Sequence, residues 1–288
     1  MITLRSGDMA LSLAPEIGGS VASLVWRGQN LLRTAPTQSD AIDPRDMAAF
    51  PMVPFVGRVP NGVFVWNGNS IRLPANMPPE PHAIHGFGWQ TEWETTHVSA
   101  NAITLCHEHS TGAWPWEYVA TQHFQVDPNR LQITLALWNQ STETMPAGLG
   151  WHPYFPKAGA LLHMQTEEEW IPASSYAPTK AIAVHAERDF SKSRILRGLD
   201  IDHVFSISAP EINLSWPTYE LQLNSASPIS FATVYAPSEA DFFCVEPITH
   251  VPGALNGSVP LSNTGLRLIE PNSKLELKLQ LSVRSLSD

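Results

Sequence analysis

The sequence predicts an all-β protein, a large antiparallel β-sandwich or barrel with few short helices, on three observations. Apolar and polar residues alternate over several stretches, turn residues separate those stretches at short intervals, and no strand–helix–strand rhythm runs along the chain. Composition agrees. With 25 Pro, 17 Gly and 10 Trp, 43% hydrophobic and only 15% charged residues, the chain suits a turn-rich globular protein rather than a helical bundle or a disordered segment. Its 288 residues exceed the usual domain size, but large β units reach this length. No Gly/Ser-rich linker and no internal repeat divides it, so residues 1–288 are expected to form one domain.

Taken in order, short strands are expected near 2–13 and 17–26. The stretch SDAIDPRDMAAF (39–50) is the one place with short helical character. In GVFVWNGNSIRLP (62–74), Asn67-Gly68 between two apolar runs predicts a tight hairpin. A further strand region covers 90–108. EYVATQHFQV and RLQITLAL (130–137), joined through VDPNR, predict a second hairpin with Leu131, Ile133, Leu135 and Leu137 inward. Strands follow near 211–224, 229–235 and 265–270. KLELKLQLSV (274–283) closes the series, with Leu275, Leu277, Leu279, Leu281 and Val283 on one face and polar residues on the other.

The net charge of -10, with 17 basic residues scattered singly, lacks the clustered cations that nucleic acid requires. Cys106 and Cys244 are too few for a disulfide framework. Residues 1–15 have no long apolar run after a basic start, so no secretory signal is expected; the reading is a soluble cytoplasmic protein without membrane partners.

Four loop-like stretches set ionisable side chains beside Pro or Gly, which is how a scaffold fixes a functional group: FVGRVPNG (55–62), PHAIHGFGW (81–89), GLGWHPYFP (148–156) and FCVEPITHVPGALN (243–256). A fifth, GLDIDHVF (198–205), is expected to hold Asp200, Asp202 and His203 in a short polar turn. A lone histidine such as His152 serves a core as readily as a site. Glu246 is more telling, because a carboxylate in the apolar run DFFCVEP is costly to bury without a partner. Arg58 and Asn61 also fit plain turn and ion-pair roles, His82 fits a loop, and Trp89 and Trp116 fit the core.

The order Arg58…Asn61, His85-Gly86, His152-Pro153-Tyr154-Phe155, Asp202-His203-x-Phe205 and Glu246-Pro247 resembles the aldose 1-epimerase (galactose mutarotase-like) family over roughly residues 16–280. The resemblance implies a curved β-sandwich of the supersandwich type that binds a sugar in a cleft and interconverts its α and β anomers without a cofactor or metal. It further implies Glu246 as catalytic base, His152 as acid, and His85, Asp202, Arg58 and Asn61 as sugar-binding or supporting residues. Two stretches depart from the best-studied galactose mutarotases. HAIHGFGW replaces a shorter His-Gly-Gly stretch, and GWHPYFP replaces Asn-His-x-Tyr-Phe-Asn. The departures bear on the substrate more than on the reaction.

That reaction needs one base for the C1 hydroxyl and one acid for the ring oxygen, expected on opposite sides of the hemiacetal. Glutamate and histidine, with ordinary pKa values of about 4.3 and 6.5, suit it. Trp151, Tyr154 or Phe155 would wall the cleft against the sugar's apolar faces.

Rival readings are a hexose-6-phosphate epimerase, a non-catalytic carbohydrate-binding protein, a glycosidase pairing Glu246 with Asp202 or Glu239, and a metal-binding cupin using His107 and His109. A phosphate pocket would draw on Arg58, Arg72, Arg188, Arg194 or Arg197. The cupin reading suffers because Ile103 and Leu105 share the histidines' face.

Overall fold

The computed structural model describes residues 1–36, 43–172, 178–227, 229–256 and 259–286. Eighteen strands form one large antiparallel sheet, and three further strand pairs decorate it. Starting from the N-terminal hairpin of Ile2–Ser6 and Met9–Ala14, pairing proceeds through Ser20–Trp26, Ala49–Met52, Gly150–Pro156, Phe242–Ile248 and Phe231–Ala236 to Ile201–Ser215. The far half of that last strand pairs with Tyr219–Ser225, and the sheet continues through Lys274–Ser285, Arg130–Asn139, Tyr118–Asp127 and Ala102–His109. Ile201–Ser215 is 15 residues long and serves two neighbours in turn, which lets one sheet curve over on itself.

The expected hairpins form. Val63–Trp66 pairs with Asn69–Arg72 around Asn67 (φ 48°) and Gly68 (φ 79°), both in the left-handed region that a primed turn demands. Tyr118–Asp127 pairs with Arg130–Asn139, and Leu131, Ile133, Leu135 and Leu137 are buried. In Lys274–Ser285 the alternation holds from Leu277 to Val283, whereas Leu275 is only half-buried at the strand's start.

Two local expectations are corrected. Of the 39–50 stretch, residues 39–42 lie outside the described residues; the rest holds a single 3-10 turn, Pro44–Asp46, capped by Asp43, and then the strand Ala49–Met52. Sheet pairing with Gly150–Pro153 overrides the weak helical propensity there. GLDIDHVF is no turn either: Asp202 and His203 stand near the start of the long Ile201–Ser215 strand, pairing with Tyr235 and Val234. Among the described residues, the sole α-helical turn is Leu261–Thr264.

The main core lies between the facing parts of the sheet, built from residues such as Leu11, Phe124, Leu135, Trp151, Phe155 and Leu279. A smaller apolar cluster, including Phe50, Trp89, Tyr154, Trp170, Phe231 and Cys244, covers the other face of the central strands. Gly150–Pro156 is therefore packed on both faces, and Gly150 to Phe155 are all buried. Burial on two faces erases the alternation that marks an ordinary strand, which is why GLGWHPYFP reads as a loop.

Candidate active site

Strand alternation builds the site. Gly150–Pro156 pairs Gly150 with Ile248 and Tyr154 with Cys244, which sets His152 opposite Glu246. On its other side His152 pairs with Phe50. Beyond Glu246 the row continues through Thr233 and then Val204. A second row, two residues along, holds Tyr154, Cys244, Tyr235 and Asp202. These rows floor a cavity of about 740 Å³ lined by Phe50, His152, Tyr154, Asp202, Tyr235 and Glu246 among others, a volume within the usual range for small-molecule sites. Trp151 and Phe155 point the other way into the main core, so Tyr154 alone of the three expected wall residues faces the cavity.

His152 Nε2 lies 3.3 Å from Glu246 Oε1. The two groups therefore sit side by side on one wall, not on opposite sides of a ligand. The imidazole is clamped between rings: Phe50 stacks on it at 4.5 Å between centroids, Tyr154 leans on it at 4.7 Å, and His85 meets it edge-on at 5.4 Å. Among the described residues its buried Nδ1 has no hydrogen-bond partner. Burial pushes His152 down to about 3. Burial first, and then the neighbouring Asp202, hold the Glu246 carboxyl well above the usual carboxylate range, with Arg58 opposing. Both directions favour neutral forms, a carboxylic acid facing an imidazole that share one proton.

His85 comes from a tight turn after the Ala83–Ile84 bridge strand, with φ 58° at His85 and 72° at Gly86. A Cβ on Gly86 would fall 2.0 Å from the Val53 carbonyl oxygen, so this close approach requires glycine. The Gly57 N–H donates to His85 Nδ1 at 3.1 Å, which leaves the Nε2 proton of the neutral ring to donate. Burial, then His152, hold His85 well below its ordinary value. Arg58 is fixed by both Glu80 oxygens, at 2.7 and 3.0 Å. Asp202 opens on the cavity, and the surrounding protein raises its carboxyl against the pull of Arg58 and His203.

Of the six residues singled out in the sequence, five line this cavity: Glu246, His152, His85, Asp202 and Arg58. Asn61 does not. It is exposed in a turn with φ 52°, and its backbone N–H donates to His82 Nδ1. His203, on the opposite strand face from Asp202, contacts Glu169 at 2.6 Å. Asp200 accepts from the Ser238 N–H and is absent from the cavity lining. Trp89, expected in the core, is buried yet also borders the cavity, stacked on Phe50 at 5.5 Å; Trp116 packs in the core against Trp66.

Sequence reasoning missed Phe50, Tyr235, Arg33 and Arg45: Phe50 and Arg45 stand beside Pro51 and Pro44 but fall in the stretch read as helical, and Tyr235 and Arg33 have no Gly or Pro neighbour to flag them. It also passed over His250. That buried ring donates from Nδ1 to the Val251 carbonyl at 2.8 Å and accepts the Val56 N–H on Nε2 at 3.0 Å, pinning the segment that carries Gly57 and Arg58.

His107 and His109 serve packing. His107 lies beside Trp93 and Thr91, while His109 stacks on Tyr118 at 4.8 Å. Among the described residues, the one group able to hold a metal is His152, Cys244 and Glu246, whose ligand atoms lie within 4.8 Å of one another.

Comparison with known proteins gives a consistent result. The family described as aldose 1-epimerase matches residues 1–282. YphB of Escherichia coli K12, itself uncharacterized, is 30% identical over 267 residues, covering 87% of this chain and 88% of YphB. A galactose mutarotase-like protein from Clostridium acetobutylicum superposes with a TM-score of 0.86 at 16% identity, covering 99% of this chain and 95% of that one. Galactose 1-epimerase from Lactobacillus acidophilus gives 0.79 at 16% identity, with 98% and 93% coverage.

Proposed function

The chain belongs to the aldose 1-epimerase family, and from that premise we propose that it interconverts the α and β anomers of an aldohexose by acid–base ring opening and closure. The observation that carries the reading is the 3.3 Å contact between His152 Nε2 and Glu246 Oε1 on a cavity wall. One wall suffices, because the C1 hydroxyl oxygen and the ring oxygen are bonded to the same carbon and adjacent groups can reach both.

The pair enters the reaction with one proton. A sugar hydroxyl donating to Glu246, together with Arg58, stabilises the carboxylate and moves that proton to His152. Glu246 then takes the proton from the C1 hydroxyl while His152 gives one to the ring oxygen, and the ring opens to the aldehyde. Rotation about C1–C2 presents the other carbonyl face. Closure reverses both transfers: Glu246 returns its proton to the new C1 hydroxyl and His152 accepts one from the closing hydroxyl. Only protons move, so the chemistry calls for no cofactor. His85 donates from Nε2 to a sugar hydroxyl, Asp202 and Arg58 hold others, and the rings of Phe50, Trp89 and Tyr154 exclude water and cover apolar faces.

Polarimetry of freshly dissolved α-glucose and α-galactose tests this. Wild type should accelerate the approach to equilibrium, and His152→Asn should slow it at least a hundredfold with folding intact. A wild type that binds aldoses and accelerates none of them is a carbohydrate-binding protein instead.

A further inference from the structure

The arginines that the sequence offers for an anionic substrate lie mostly elsewhere. Arg188 pairs with Glu169, Arg194 donates to the Asp189 and Ala186 carbonyls, and of the five only Arg58 reaches the cavity, where Glu80 holds it. Two others line it unannounced. Arg45 pairs with Asp43. Arg33 is different: among the described residues no carboxylate stands within ion-pairing distance of it. Its guanidinium donates to the carbonyls of Met47 and Arg45, stacks 3.5 Å above the Tyr154 ring centroid and lies 4.9 Å from that of Phe242.

Two carbonyls and two ring faces return part of the hydration that a half-buried cation loses, and among the described residues no carboxylate supplies the rest; Asp46 and Asp241 act on it only from beyond contact. The backbone carbonyls fix its plane, and among the described residues they occupy two of its five N–H donors, which leaves a fork for a ligand. Its place is also informative. Tyr154 stands two residues along the strand from His152, a step of about 6.6 Å, and Arg33 stacks on that ring. A hexose whose C1 faces His152 and Glu246 would bring a substituent from the far side of its ring to Arg33.

We propose that Arg33 forms an oxyanion subsite, so that the preferred aldose carries a phosphate, sulfonate or carboxylate remote from its anomeric carbon. The inference rests on the proposed anomerase reaction for its orientation. The oxyanion is the shared chemistry, since all three groups offer two or more oxygens to a planar fork. Charge-assisted hydrogen bonds are about twice as strong as neutral ones, which sets the expected preference at tenfold or more over the neutral sugar.

The test measures anomer exchange by NMR, and binding by tryptophan fluorescence, for glucose and galactose beside their 6-phosphates, 6-deoxy-6-sulfonates and uronates. Wild type should turn over at least one anionic sugar with kcat/KM tenfold or more above its neutral parent, and the arms identify which oxyanion. Arg33→Met keeps the stem over Tyr154 without the charge and should cut that ratio at least tenfold; Arg33→Lys should fall between. A wild-type ratio of one or less for all three groups, or an unchanged ratio in Arg33→Met, overturns the subsite. If no sugar anomerises, the reaction reading fails and binding decides. Tenfold tighter binding of an anionic sugar that Arg33→Met abolishes upholds the subsite, and equal binding of charged and neutral sugars ends it.

Discussion

Replacing Glu246 by Gln separates the catalytic role proposed for this carboxyl from what it does in folding. The amide keeps the shape and neutrality of a carboxylic acid but cannot exchange a proton with His152 Nε2 at 3.3 Å. A positioned acid–base group supplies roughly 100- to 10,000-fold, or about 2.7–5.4 kcal/mol at 1.36 kcal/mol per decade. Anomerisation should fall by that factor. Stability should behave oppositely. Because the folded protein holds the Glu246 carboxyl well above its unfolded value, folding retains a proton that the unfolded chain releases above about pH 4.3. That contribution is fully present below the unfolded pKa and is lost as pH rises, so at pH 7 the wild type carries a cost that Gln removes. Glu246→Gln should therefore unfold in urea within about 1 kcal/mol of wild type or slightly later. Had the pair been a buried ion pair, removing one partner would cost about 3–5 kcal/mol. Activity kept above a tenth of wild type would refute the catalytic assignment, and a stability loss of about 3 kcal/mol would refute the neutral pair.

The pH profile of kcat/KM should stay level from pH 7 to 5, because His152, pushed down to about 3, refuses the second proton that an ordinary imidazole takes near about 6.5; a limb centred near 6.5 would contradict this. Stability should fall over the same window, because several depressed histidines outweigh the raised Glu246 carboxyl, whose contribution grows as pH falls. His107 and His250, at about 4, and His152 stay neutral in the fold while the unfolded chain protonates near about 6.5, so the unfolded state binds more protons and stability is lost as pH falls below that value. A thermal midpoint that rises from pH 7 to 5 would reverse the sign. Gly148→Ala would put a Cβ 1.8 Å from His250 Cδ2, forcing the ring off the Val56 N–H. Overpacking and an unpaired buried donor together should cost about 2–5 kcal/mol in urea unfolding, and a loss under about 1 kcal/mol would show that the ring relocates freely. Asn61→Gly, at an exposed position with φ 52°, should alter anomerisation less than threefold; a tenfold loss would return this residue to the site.

Much of the architecture was legible in the chain because local physics writes it there. Asn67-Gly68 enforces a hairpin through two positive φ angles, and the run from Leu277 to Val283 alternates because its strand buries one face only. The need of Glu246 for a partner was legible too, since a carboxyl amid Phe242, Phe243, Cys244 and Val245 is costly to bury alone. What stayed hidden depended on pairing between segments far apart in sequence. GLGWHPYFP looks like a loop because burial on both faces removes the period of two, and only its neighbours, Phe50 on one side and Glu246 on the other, reveal a central strand. That same register put His152 and Glu246 on one wall rather than on two. Arg33 carries no local signal at all; its meaning comes from Tyr154, met across the fold, and from the absence of a carboxylate beside it among the described residues. The sequence by itself determined which ionisable side chains are available to a site and where the tight hairpins turn. The tertiary structure alone decided which of them meet, because strand register and sheet curvature are set by long-range hydrogen bonding and core packing that no short window of sequence contains.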